Sequence, residues 1–259
     1  MSLGLNAVDQ TLSLLLIAAL VAQLFSLLRK HLRADFPYFF LYLFTLCLEM
    51  IALRIVPVRT TIYGSIYFGF QTLNLAIAFA IVREIYALAL HSHPALAAFG
   101  KKIVWWALAV AVLVPLTLVA WQQNAAPVKY PTLYAFFKFE QTGNFFCVLL
   151  LLMISAFLAW FPVQLSRNIL VYSKGFTVFS FLRGSGIVAV ILWPGQLRVI
   201  SNWLLGCEIV NLLYWLVGFR STREAAIVIS GHTWNPAEFD RLTQQLNSIN
   251  NALSRFNQR

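Results

Sequence analysis

Charge is scarce in this sequence: 19 Lys and Arg and 9 Asp and Glu make up only 11% of its 259 residues. A soluble domain gives about a quarter of its residues to charged side chains. With 60% hydrophobic residues beside that shortage, a water-soluble fold of this length is excluded. Aspartate is scarcer still. Asp9 stands at the very start of the first apolar run and Asp35 and Asp240 lie outside all of them, which excludes a paired-aspartate centre inside a bilayer.

The three cysteines, Cys47, Cys147 and Cys207, are too dispersed for a metal motif and read as small packing residues. His31, His91, His93 and His232 fall at the ends of apolar runs, so Ser185 in its Gly184 and Gly186 setting has no histidine at its own depth to act as base. No lysine lies between Leu197 and Phe219, where a retinal Schiff base would sit. Phosphate loops, dinucleotide fingerprints and haem-attachment motifs are absent too. The balance leans away from an enzyme, with Glu49, Glu140 or Glu208 the remaining candidate bases, and no cofactor is indicated. The net charge of +10 lies between apolar runs rather than along a stripe with interleaved aromatics, which argues against nucleic acid and for contacts with membrane lipids.

What the sequence has is a series of apolar runs, each near the roughly 20 residues that cross a bilayer as helix. They cover 8–28, 37–56, 62–90, 103–121, 132–161, 169–193 and 197–219. The sixth carries Lys174, Gly175, Arg183, Gly184, Ser185 and Gly186, so a broken or re-entrant segment is the alternative there. No basic leader or small-residue cleavage site precedes the first run, which is expected to stay in the protein. Twelve cations lie in one set of alternate loops: Arg29, Lys30, Arg33, Lys101, Lys102, Arg167, Lys174, Arg220, Arg223, Arg241, Arg255 and Arg259. Only Arg59, Lys129 and Arg198 lie in the other set. The expected fold is therefore an all-α seven-transmembrane-helix bundle over residues 1–221, with the N-terminus outside and the C-terminus cytoplasmic. Short loops and the absence of an Asn-x-Ser/Thr sequon suit a bacterial inner membrane.

Residues 234–259 form the one sizeable soluble piece. Asn235, Pro236 and Glu238 make a helix start, and Phe239, Leu242, Leu246, Ile249, Leu253 and Phe256 then recur at intervals of three and four. The seam fits a short coiled coil that joins copies or holds a cytoplasmic partner. It also fits an amphipathic helix lying on the membrane or docked on the bundle's own loops.

Polar residues at bilayer depth cost about 2.5–3.5 kcal/mol each when charged, and they are the first candidates for function. Tyr38, Tyr42, Thr45 and Glu49 form one stripe of the second span, and Tyr63, Tyr67, Gln71 and Asn74 repeat it in the third. Lys138 and Glu140 lie in the fifth, Arg183 in the sixth, and Glu208 and Asn211 share a face in the seventh. With Arg54 these give three acids and three bases; Arg183 can pair with Glu208 or Glu49. Such stripes must face the bundle interior, because lipid offers no hydrogen-bond partner.

The site expected from these patterns is an outward-facing polar pocket built from Tyr42, Glu49, Tyr67, Gln71, Asn74, Lys138, Glu140, Arg183, Glu208 and Asn211. The corresponding function is a sensor or receptor-like module that binds a small ligand or ion and signals through its cytoplasmic face. A transporter or ion-translocating subunit and a non-catalytic subunit of a larger complex are the alternatives. The nearly unbroken apolar inner halves, Phe145 to Trp160 and Leu75 to Val82, weigh against a through-path. Arg83, Glu84 and Tyr86 close the third span, but their order differs from the acidic-arginine-tyrosine cluster of eukaryotic seven-helix receptors. The seventh span also lacks an Asn-Pro motif, so no family is assigned.

Overall fold

The computed structural model describes residues 2–57, 60–91, 131–161, 164–221, 227–229 and 236–257, with thirteen single positions between 93 and 117. Its helices are α1 (Ser2–Arg29), α2 (Pro37–Ile55), α3 (Thr61–Ala89), α4 (Pro131–Trp160), α5 (Arg167–Leu192), α6 (Leu197–Gly218) and α7 (Pro236–Asn257). Five of them contain stretches long and apolar enough to cross a membrane: Gln10–Arg29, Pro37–Ile55, Ile62–Ala89, Phe136–Trp160 and Leu197–Gly218. The chain is a multi-pass membrane protein of helical build. The predicted fourth span, 103–121, lies largely outside the described residues.

Local chemistry sets the helix ends. Thr60 caps α3 by accepting from the backbone N–H of Tyr63 at 3.3 Å, and Ser166 caps α5 by accepting from Ile169 at 3.4 Å. Helix α1 stops in a reversed turn. Leu32 N–H returns to the Leu27 carbonyl at 3.0 Å and His31 N–H to Leu28 at 3.1 Å, with His31 left-handed at φ 58°. This is the bond pattern of a Schellman stop, with histidine where glycine is usual.

Cross-helix contacts give the directions. Glu49 meets Gln71 and Asn74, whereas Tyr38 meets Glu84, so α2 and α3 are antiparallel. Phe68 meets Phe136 and Tyr86 meets Leu150, so α3 and α4 are parallel. Arg183 meets Glu208, Gly186 abuts Leu204 and Gly175 abuts Trp215, so α5 and α6 are antiparallel. The segment predicted as a sixth span is one continuous helix of 26 residues, about 39 Å long, rather than a broken one. It packs against α4, α6 and α3. Its charges, Arg167, Lys174 and Arg183, set it apart from the five strongly apolar spans.

At the end that carries Arg29, Lys30, Arg167 and Arg220, hereafter the basic end, several ties close the bundle. Lys30 Nζ donates to the carbonyls of Leu216 and Phe219 at 3.2 and 2.7 Å, capping α6 from the end of α1. Partial burial lowers its ammonium pKa. Asn168 and the backbone of Arg220 exchange two hydrogen bonds at 2.9 and 3.0 Å. Strands β1 (Gln164–Ser166) and β2 (Ile227–Ile229) pair antiparallel with Leu165 opposite Val228, joining the start of α5 to the segment beyond α6.

Helix α7 docks on the bundle. Leu246 is buried within the main apolar core, and the Asn250 side chain accepts from the backbone N–H of Ala95 at 3.1 Å. Asn247 hydrogen-bonds His93. Of the predicted seam, Leu242 is half-buried and Ile249 exposed, while the side chains of Phe239, Leu253 and Phe256 lie outside the described residues. At least the centre of the seam is thus committed to the chain's own loops.

Candidate functional site

The predicted stripes converge. On α2, Glu49 accepts from Gln71 Nε2 at 2.9 Å through one oxygen and from Asn74 Nδ2 at 2.6 Å through the other, both donors lying on α3. Thr45 Oγ1 sits one turn before Glu49 and donates to Asn74 Oδ1 at 2.7 Å. From α5, Arg183 donates through Nη1 to Gln71 Oε1 and through Nε to Glu208 Oε1 of α6, both at 3.1 Å. One unbroken hydrogen-bonded chain therefore runs Thr45, Asn74, Glu49, Gln71, Arg183, Glu208 and ties four helices together. In this low-dielectric setting each member polarises the next, and each is costly to leave unpaired.

A third acid comes from a fifth helix, α4. Glu140 is 6% exposed and its Oε2 has no partner among the described residues. It lines a small cavity of about 10 Å³ with Tyr42, Gln71, Asn74, Asn144 and Arg183. That is room for about one water or one small ion. Asn144 is turned back onto the Glu140 carbonyl at 2.9 Å. Three carboxyl groups, those of Glu208, Glu49 and Glu140, lie within electrostatic range of the single Arg183 guanidinium.

Other predicted site residues sit outside this knot. Lys138 bonds Gln141 along its own helix at 3.3 Å, whereas Tyr67, one turn before Gln71, meets Phe136 edge-on at 6.2 Å and stays within electrostatic range of Glu140, Arg183 and Glu49. Asn211 does not line the cavity; it borders a surface groove between α5 and α6. Arg54 is exposed and reaches Ser13 at 3.4 Å. The glycines around Arg183 serve packing. A Cβ on Gly184 would touch Asn144 and Phe145 at 3.5 Å, and one on Gly186 would collide with Leu204.

Below the knot, toward the basic end, an aromatic layer fills the bundle. Tyr42 meets Phe176 and Phe179, each at 5.7 Å between centroids. Phe39 meets Trp215 at 4.8 Å, and Phe36 meets Tyr172 at 5.1 Å. The Arg183 guanidinium stands 5.2 Å from the Phe179 ring centre, so the layer also carries a cation–π contact to the knot.

Beyond this layer lies a junction that sequence patterns did not single out. Glu84 of α3 accepts from the Tyr38 backbone N–H at 3.3 Å and from Tyr172 Oη at 2.8 Å. It thereby caps α2 and holds α5. The available signal was negative: α2 begins at Phe36 and Pro37 with no capping side chain of its own, so its free N–H groups required a remote acceptor.

Comparisons with family models, curated proteins and solved structures find no match to this chain. The functional reading therefore rests on the site itself.

Proposed function

We propose that the chain is a seven-span sensor module of a bacterial inner membrane. Its central polar knot holds a proton or one small cation, and its cytoplasmic basic end reports the state of the knot. The observation that carries this reading is the charge balance around the cavity. Fully ionised, the knot has three carboxylates against one guanidinium, a surplus of two negative charges in a setting where an unpaired charge costs several kcal/mol. Protons or a metal cation would relieve that surplus. The unpartnered oxygen of Glu140 beside a cavity of about 10 Å³ supplies a place for one. An organic ligand larger than a water does not fit there, which narrows the expected ligand to an ion.

The parallel run of α3 and α4 supports the seventh crossing, because the chain between Ala89 and Pro131 must pass from one end of the bundle to the other. Signalling would run from Glu49 and Arg183 through the aromatic layer to Glu84 and Tyr172, and from the end of α3 to the tail helix at His93 and Ala95. An ion bound in the knot would favour one packing of these helices over another. The alternative of an ion-translocating subunit would need a water path across the Phe39, Phe176 and Trp215 layer, whose side chains are fully buried.

Thermal melting of the purified protein against sodium, lithium and potassium at several pH values tests the reading. The midpoint should rise with one cation or with acid, and Glu140→Gln should flatten that dependence. A midpoint indifferent to both in the wild type would sink the proposal.

A further inference from the structure

A second feature lies on the outer face of the bundle, away from the knot. Helices α5 and α6 leave a groove of about 920 Å³ between them. Its walls include Val178 of α5 and Trp203 and Val210 of α6, which are 51%, 73% and 66% exposed. Gly206 keeps it open, since a Cβ there would meet nothing within 4 Å. The α6 wall runs from Asn202 to Tyr214, about 18 Å of helix, a little over half of a hydrocarbon core about 30 Å thick. That is the depth to which the chains of one leaflet reach.

The groove is not uniformly apolar. At its basic end stands exposed Lys174, and Arg167 lies seven residues earlier on the same face of α5, also exposed and within electrostatic range of Tyr214. Asn211 borders the groove but is only 5% exposed, and its Nδ2 is buried beneath the wall.

We infer that this groove is a binding site for an anionic phospholipid, with an acyl chain along Val178 and Val210 and the phosphate at Lys174 and Arg167. Charge complementarity selects this occupant. A second copy of the chain, docked about a two-fold axis along the membrane normal, would bring its own Lys174 to the same depth and oppose like charges. A zwitterionic lipid would fill the groove equally well but leave the two cations without a net counter-charge.

The experiment is native mass spectrometry of the full chain released from nanodiscs of mixed phosphatidylglycerol and phosphatidylcholine. Wild type should retain phosphatidylglycerol preferentially. Lys174→Glu should abolish the preference, and Gly206→Phe, which fills the groove from an open position, should lower total retention about tenfold. Gly69→Phe on α3, equally open, serves as control. Unchanged melting of the Gly206→Phe protein would show that the fold is intact. Equal retention of both lipids by wild type, or retention unaffected by Gly206→Phe, overturns the inference. So does a dimer that becomes monomeric in Gly206→Phe with lipid retention unaltered, which would make the groove a contact between copies.

Discussion

Arg183 donates to Glu208 at 3.1 Å, an ion pair that joins α5 to α6. The two side chains are 17% and 13% exposed, and the same guanidinium also holds Gln71. Removing the arginine would strand Glu208 and release Gln71 together.

Arg183→Met should therefore destabilise the protein by about 3 kcal/mol, as loss of one partner of a buried pair does. Adding Glu208→Gln to it should cost less than the two single changes summed, because the variants share one interaction. Denaturation of all three variants in the same detergent checks the non-additivity.

Glu84 makes a separable prediction at the opposite edge of the aromatic layer. Glu84→Ala removes the acceptor of the α2 start and of Tyr172, and should cost about 2–3 kcal/mol. Tyr172→Phe removes one of those bonds and should cost about 1 kcal/mol. Comparable losses from both would show that Glu84 holds α5 alone and does not cap α2.

Much of the knot was legible in the sequence. The stripe through Tyr42, Thr45 and Glu49 and the stripe through Gln71 and Asn74 each follow from helical spacing, and the requirement that polar groups avoid lipid turns both inward. Periodicity shows which face of a helix is polar but not which helix stands opposite. The choice of Glu208 over Glu49 as the partner of Arg183 needed coordinates for that reason. So did the separation of Lys138 and Asn211 from the knot, because depth along a helix says nothing about rotation of its neighbours. The seam of α7 was visible too. That Leu246 sits in the chain's own core, while Asn250 of the same helix bonds Ala95, has no periodic signal, because the sequence does not show what a seam packs against.

The tail contact should respond to pH through His93, whose pKa burial lowers from its ordinary 6.5 in spite of its bond to Asn247. A histidine that binds its proton less readily when docked contributes full docking stability above pH 6.5, and the contact weakens as pH falls through that value. Amide exchange over 236–257 should accelerate on acidification from neutral pH, and His93→Gln should remove most of that change. Leu246→Ala should loosen the same helix at every pH, by about 2–4 kcal/mol for a buried leucine.

His31 offers a stabilising change. At φ 58° it holds a conformation that costs an L-residue about 1–2 kcal/mol. His31→Gly should raise stability by about 1 kcal/mol, and His31→Ala should not, as read by the shift in unfolding midpoint.

The central claim is that the surplus acid in the knot is balanced by a proton or a bound cation. Infrared spectroscopy of the purified protein reads this directly through the carbonyl stretch of protonated carboxyl groups, recorded across pH and sodium concentration. The account predicts a carboxylic-acid band near neutral pH that diminishes in Glu49→Gln or Glu140→Gln, or one that sodium displaces. A spectrum with no such band at neutral pH, unaltered by sodium and by either substitution, would contradict it.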